Sequence, residues 1–133
     1  MIFSIDKYMN KINIFNIFKL ALIFTVIDAV YLFSMSNNFQ NMIKKIQGSK
    51  LKMRIIPTVF CYIFLISSLY YFVEMKNQKV IDAFFLGLFI YGVYETTNYA
   101  IIEKWNPFIA LIDTVWGGLL FASTFFIYKK FVK

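Results

Sequence analysis

The sequence has 133 residues, of which 60% are hydrophobic and only 16% are charged, a composition typical of membrane proteins and not of soluble domains. The formal net charge is +7. The lysines and the arginine are scattered over connections and chain ends instead of forming one basic face, so we expect no nucleic-acid partner.

The sequence contains no histidine and a single cysteine, Cys61. These counts exclude an internal disulfide, disfavour a zinc site and remove the commonest general base. We therefore expect no metal and no cofactor, assign no catalytic residue, and favour a function other than catalysis. Cys61 lies in an apolar run, where we expect it to be a small buried side chain.

Four long apolar segments follow one another along the chain. Residues 1–11 are polar enough to form an interfacial tail, and the first span is predicted at about residues 12–35. The other spans are predicted at about residues 55–73, 80–102 and 108–128. Each approaches or exceeds the roughly 20 helical residues that cross a hydrocarbon core of ~30 Å. The chain is therefore predicted to form one membrane domain, residues 1–133.

The connection at residues 37–54 is the longest hydrophilic part of the sequence. Its apolar residues recur at helical spacing, with lysine, asparagine and glutamine on the other faces. Those apolar residues are Phe39, Met42, Ile43 and Ile46, and Gly48 is a suitable stop. The pattern predicts a short interfacial amphipathic helix between the first and second spans. A solvated loop is the alternative.

Two proline positions help to define the later spans. Pro57 lies in the first turn of the second span, where its missing N–H costs little. The sequence EKWNP at residues 103–107 breaks the helix through its Asn-Pro pair, and we expect Trp105 to anchor this turn at the membrane interface. Short connections make successive helices antiparallel. The predicted fold class is an all-α membrane protein, a four-transmembrane-helix antiparallel bundle with the short interfacial helix.

An even number of spans places both termini on one side of the membrane. Eight lysines lie at the ends of the chain and in the second connection, against six basic residues in the first and third connections. Because basic residues are commoner in cytoplasmic segments, this balance favours cytoplasmic termini.

Three acidic residues lie inside the predicted spans. Asp28 is near the end of the first span, Glu95 lies 10 residues before Trp105, and Asp113 lies 8 residues after it. In an antiparallel bundle all three reach nearly one depth, about 12–15 Å from the EKWNP turn at 1.5 Å per residue. Ionisable groups at membrane depth are rare and costly, so this cluster is the candidate functional site.

Polar and aromatic neighbours accompany these acids. Tyr91 and Asn98 lie at i−4 and i+3 from Glu95, and Trp116 lies at i+3 from Asp113. Tyr62 of the second span comes to about the same level. The predicted ligand- or ion-binding residues are Asp28, Glu95, Asp113, Asn98, Thr97, Tyr91 and Trp116.

A short pattern occurs in both the first and the fourth spans. Residues 27–31 read IDAVY, and residues 112–116 read IDTVW. The two helices run in opposite directions, and opposed repeats that place polar groups near the midplane recur in transporters. Chance is the alternative explanation, because the chain is rich in isoleucine and valine.

Two motifs resemble those of a known family. YGVYETTN at residues 91–98 and IDTVWGGLL at 112–120 resemble the Y-x-x-Y-[D/E]-x-T-N and D-x-x-W-G signatures of small bacterial predicted membrane proteins of unknown function. The resemblance covers most of the chain and implies four spans with an acid near the end of the first. Glu95 stands where the family more often has Asp, and Tyr31 where it often has Trp. The corresponding positions are Asp28, Tyr91, Tyr94, Glu95, Thr97, Asn98, Asp113, Trp116 and Gly117.

The family implies no reaction, so the function is interpreted from the acids. We favour a small transporter or channel-like protein for a proton, a cation or a cationic solute. One alternative is a membrane-embedded enzyme that modifies a lipid or an isoprenoid, with one carboxylic acid and one carboxylate. The other is a non-catalytic assembly or structural protein whose acids only join helices. Expected partners are the lipid bilayer, a small cation or lipid ligand, and further copies of the chain.

Overall fold

Four helices make up the fold of the computed structural model, which describes residues 12–133. In chain order they are α1 (Ile14–Gln47), α2 (Ile55–Leu69), α3 (Val80–Ile101) and α4 (Pro107–Ile127), with π-helical turns at Tyr70–Glu74 after α2 and Tyr128–Val132 after α4. All four, with these turns, are long and apolar enough to cross a membrane. The described residues contain no strand, so the predicted all-α, four-helix class is confirmed. The predicted tail at residues 1–11 lies outside the described residues.

Both ends of α1 are fixed by local signals. The side chain of Asn13 accepts hydrogen bonds from the N–H groups of Phe15 (3.0 Å) and Asn16 (3.3 Å), which caps the N-terminus. The helix ends at Gly48, whose φ of 76° is left-handed and whose N–H donates to the Lys44 carbonyl at 2.9 Å. The 34 residues of α1 extend about 51 Å at 1.5 Å per residue, well beyond a hydrocarbon core of ~30 Å.

The predicted interfacial helix is the C-terminal part of α1 and not a separate element. Its residues are helical, so the loop alternative is wrong, but no break separates them from the span. The chain has no glycine or proline between Asn13 and Gly48, and polarity alone does not end a helix. The apolar face of this extension packs on Trp105 and Ile109, and thereby covers the turn between α3 and α4.

The pair α3 and α4 is the most closely packed in the bundle. Asn106 caps α4 by accepting hydrogen bonds from the N–H groups of Phe108 (2.8 Å) and Ile109 (3.2 Å), with proline at the first helical position. Small residues then let the two backbones approach. A Cβ added at Gly87 would overlap the carbonyl oxygen of Gly117 on the opposite helix.

Helix α4 lies at the centre, since it is the most buried helix and packs on both α3 and α1. Large apolar side chains on the outside of the bundle are exposed, as expected of helices surrounded by lipid. Cys61 is also exposed, so the expectation that it is buried is wrong. The main core contains Leu20, Phe24, Leu69, Tyr70, Ala83, Leu120, Phe121, Phe125 and Tyr128.

Gly87→Ala is expected to destabilise the bundle. The new methyl group would overlap a backbone atom of Gly117, which cannot rotate away, and overpacking typically costs about 1–3 kcal/mol. The melting temperature in detergent, followed by circular dichroism, should fall. Gly92→Ala is the matched control, because its Cβ would meet only a Thr114 methyl group at 3.4 Å. Equal melting temperatures for the two variants would contradict the close approach of α3 and α4.

Candidate functional site

The three predicted acids come from three helices and are all buried. Asp28 of α1 is 5% exposed, Glu95 of α3 is 1% exposed, and Asp113 of α4 is 7% exposed. Asp113 lies near enough to interact electrostatically with both of the others. Within residues 12–133, no lysine or arginine forms an ion pair with any of them. The acids therefore rely on neutral hydrogen-bond donors.

Asp28 and Asp113 are joined by crossed hydrogen bonds between α1 and α4. The indole N–H of Trp116 donates to Asp28 Oδ1 at 3.0 Å, and the hydroxyl of Tyr31 donates to Asp113 Oδ1 at 2.9 Å. The rings of Tyr31 and Trp116 stack, with centroids 4.4 Å apart and planes inclined by 9°. Each helix thus supplies an acid and, three residues later, the aromatic donor for the acid of the other helix. The IDAVY and IDTVW segments are therefore complementary to each other when their helices are antiparallel.

Helix α2 joins the cluster through one side chain. The hydroxyl of Tyr62 donates to Asp28 Oδ2, so both oxygens of this carboxyl group are satisfied. The Tyr62 ring packs edge-on against Phe24 of the core, with centroids 5.9 Å apart. This contact fixes the ring that carries the donor.

Glu95 is the most buried acid and receives its donor from the turn after α3. The indole N–H of Trp105 donates to Glu95 Oε2 at 2.8 Å, whereas Oε1 is buried and has no hydrogen-bond donor among residues 12–133. Trp105 is only 7% exposed and packs edge-on against Tyr94, with centroids 6.3 Å apart. The prediction that Trp105 anchors the turn at the membrane interface is therefore wrong, because the turn folds the indole inward.

The remaining predicted site residues are placed differently from one another. Tyr91 is half-buried and interacts electrostatically with Asp28 and Asp113. Asn98 is half-buried beside Tyr94 and makes no hydrogen bond to an acid within the described part of the chain. Thr97 is exposed, because a residue two positions from Glu95 projects from another side of the helix. The structure thus brings Tyr91 and Trp116 to the acids, but not Thr97 or Asn98.

Three donors of the cluster were not among the predicted site residues, namely Tyr31, Tyr62 and Trp105. Tyr31 could have been found from the repeated acid-x-x-aromatic spacing, which pairs with itself when two helices are antiparallel. Tyr62 was predicted to lie at the right depth, but depth does not give the direction of a side chain. No periodicity predicts Trp105, because its position depends on how the turn folds back.

A cleft of about 520 Å³ opens beside the EKWNP turn. Polar side chains such as Asn38, Asn41 and Lys45 line it together with Trp105 and Ile112. None of the three acids lines this cleft. Trp105 contributes to the wall of the cleft and also donates to Glu95, so this side chain lies between the cleft and the acid.

The three carboxyl groups do not form a metal-binding group. Across residues 12–133, no set of three or more His, Cys, Asp or Glu side chains is arranged to hold a metal ion. The acids are connected through tyrosine and tryptophan donors, and Asp113 is the acid in the middle. This arrangement suits protons and hydrogen-bonding groups better than an ion held by all three carboxylates at once.

The sequence matches a protein family over residues 13–127, a range that contains all the acids and donors described above. The family is described as "Predicted membrane protein (DUF2177)". This chain belongs to that family. The resemblance carried by the YGVYETTN and IDTVWGGLL motifs is thereby confirmed. No curated protein and no solved structure significantly matches the chain.

This DUF2177 protein has a further buried acid at the opposite end of the bundle. Glu74 Oε1 forms an ion pair with the Lys133 ammonium group at 2.5 Å. Nearby, the hydroxyl of Tyr128 is buried, has no hydrogen-bond partner in the part of the chain that the structure describes, and interacts electrostatically with Glu74. Glu74 therefore has a compensating cation, which distinguishes it from the three acids of the cluster.

Trp105→Phe is expected to lower the stability of the DUF2177 protein more than Trp116→Phe. Both substitutions remove an indole donor, but Asp28 retains Tyr62 whereas buried Glu95 loses its only donor. A buried acceptor without a partner costs about 1–3 kcal/mol, and more when it is charged. Melting temperatures in detergent, followed by circular dichroism, measure the difference. A greater loss for Trp116→Phe would contradict this assignment of donors.

Proposed function

We propose that this protein transports protons across the membrane, alone or coupled to a cationic solute, and that Glu95 and Asp113 form its proton-binding pair. The proposal is carried by Glu95 Oε1, which is buried, has no hydrogen-bond donor among the described residues and belongs to a carboxyl group that neighbours Asp113. Two adjacent carboxylates repel each other, and a proton held between them removes that repulsion. The same proton would give Oε1 its missing hydrogen bond.

The donors around the acids support reversible binding. Tyrosine and tryptophan stabilise a carboxylate without adding a fixed positive charge, so the site is not locked in one ionic state. Glu74 provides the contrast, because it forms an ion pair with Lys133. Acids inside membrane spans that are not paired with a cation typically belong to proton or ion pathways.

The cleft beside the EKWNP turn supplies the proposed route to the pair. Its polar lining can hold water, and Trp105 both lines its wall and donates to Glu95. A rotation of the Trp105 side chain would join the cleft to Glu95.

Orientation and assembly complete the proposal. The balance of basic residues favours cytoplasmic termini, and the EKWNP turn then lies on the opposite side with the cleft. Four helices leave little room for a separate solute path, so we place the protein in a homo-oligomer.

Flux measurements in liposomes test the proposal. Vesicles with a trapped pH-sensitive dye and an imposed membrane potential should acidify or alkalinise faster with the wild-type protein than without it. Glu95→Gln and Asp113→Asn preserve size and much of the hydrogen bonding but remove titration, and each should reduce the flux at least about tenfold. Asp82→Asn is the matched control, since Asp82 is an exposed acid at the other end of α3 and does not line the cleft.

Two results would overturn the proposal. One is the absence of proton, alkali-cation and amine flux with folded wild-type protein, verified by gel filtration of the detergent-extracted vesicles. The other is unchanged flux in both Glu95→Gln and Asp113→Asn, which would indicate that the acids only join the helices.

A further inference from the structure

An apolar groove runs along the outside of α4, on the lipid-facing side of the bundle. It has a volume of about 570 Å³, and its lining is almost entirely apolar. Trp116 lies at its inner end, Phe126 and Ile127 lie at its outer end, and the small residues Ala122 and Ser123 lie between them along the helix. The groove therefore suits an elongated apolar group and not a polar solute.

The length of the groove matches one leaflet of a bilayer. Trp116 and Ile127 are separated by eleven helical positions, which corresponds to about 16 Å at 1.5 Å per residue. Half of a hydrocarbon core of ~30 Å is about 15 Å. An acyl chain of the nearer leaflet can therefore extend along the groove from Phe126 to Trp116.

Two lysines lie beside the outer end of the groove. The Lys130 ammonium group lies 5.5 Å from the centroid of the Phe126 ring, and that of Lys129 lies 5.9 Å from the Phe125 ring. Neither lysine forms an ion pair in the part of the chain that the structure describes. The described acids at this end are engaged elsewhere, because Glu74 pairs with Lys133 and the Asp82 carboxylate accepts the N–H of residue 79 at 2.9 Å.

We propose that this groove binds an anionic phospholipid, with its phosphate at Lys129 and Lys130 and one acyl chain extending to Trp116. Basic residues next to membrane spans attract anionic headgroups, and Lys130 lies over Phe126 at the outer end of the groove. A second copy of the chain suits the groove less well. Two copies inserted in the same direction would bring the same lysines together, and like charges would repel.

Quenching of tryptophan fluorescence by brominated lipids tests this inference. Trp116 lines the groove, whereas the chain's other tryptophan, Trp105, is buried under the turn at the opposite end. The wild-type protein is reconstituted in phosphatidylcholine vesicles that contain, at equal mole fraction, either phosphatidylglycerol or phosphatidylcholine with brominated chains. Brominated phosphatidylglycerol should quench more strongly, and Trp116→Phe should remove the difference.

Variants at both ends of the groove sharpen the test. Lys129→Gln and Lys130→Gln should each reduce the preference for phosphatidylglycerol by about fivefold, and high salt should weaken it in the same direction. Lys50→Gln and Lys52→Gln are matched controls in the connection between α1 and α2 and should leave it unchanged. Ala122→Phe, which fills the groove, should reduce quenching by both lipids.

Three outcomes would overturn the inference. Equal quenching by the two brominated lipids would exclude selection of the headgroup. An unchanged preference in both lysine variants would remove the basis for the phosphate position. No quenching by either lipid would mean that something other than lipid, such as a second copy of the chain, covers Trp116. None of these measurements depends on proton flux, so the lipid site and the proposed transport function can fail separately.

Discussion

The crossed hydrogen bonds between α1 and α4 are the constraint on which the rest of the bundle depends. A carboxyl group at membrane depth needs donors, and water is not available there to provide them. Asp28 receives its indole donor from α4, and Asp113 receives its hydroxyl donor from α1. A shift of one helix by a single residue would break both bonds and the ring stack between them. The pair therefore fixes the register of α1 on α4, and the neighbouring glycines of α4 then fix the approach of α3.

Glu95, the third acid, is held differently, because its donor comes from a turn and not from a helix. Trp105 can reach Glu95 only while the turn stays folded inward, and the extension of α1 holds it there through Met42, which packs with Trp105 and Ile109. The extension is also pinned by weaker polar contacts, such as the Lys104 ammonium group on the Lys45 carbonyl at 3.4 Å. The unusual length of α1 thus has a structural reason. Its last turns cover the Trp105 indole, and that indole in turn covers Glu95.

Much of this arrangement could be predicted from the sequence, and the failures have identifiable causes. Hydropathy located the spans, and the rise of an α-helix placed three acids at one depth. The end of apolar character at Met35 was mistaken for the end of a helix, although only Gly48 supplies a left-handed stop. The motif containing Glu95 also includes Thr97, but adjacency in a motif does not imply a shared helical face. The prediction that Trp105 lies at the membrane interface failed because packing decides how a turn folds back, and sequence periodicity does not describe packing.

Trp116 connects the acid cluster with the groove proposed to bind a lipid. Its ring contributes to the wall of the lipid-facing groove, while its N–H donates to Asp28 inside the bundle. Any occupant that moves the ring must therefore stretch the hydrogen bond to Asp28 and disturb the stack with Tyr31, which is the donor of Asp113. Such coupling requires that the occupant bind the protein with different affinity when the Trp116 ring is in its present position and when it is displaced. The crossed hydrogen bonds hold the Trp116 ring in its present position. An acyl chain that packs best against the ring in that position would therefore strengthen these hydrogen bonds, and one that requires a displaced ring would weaken them.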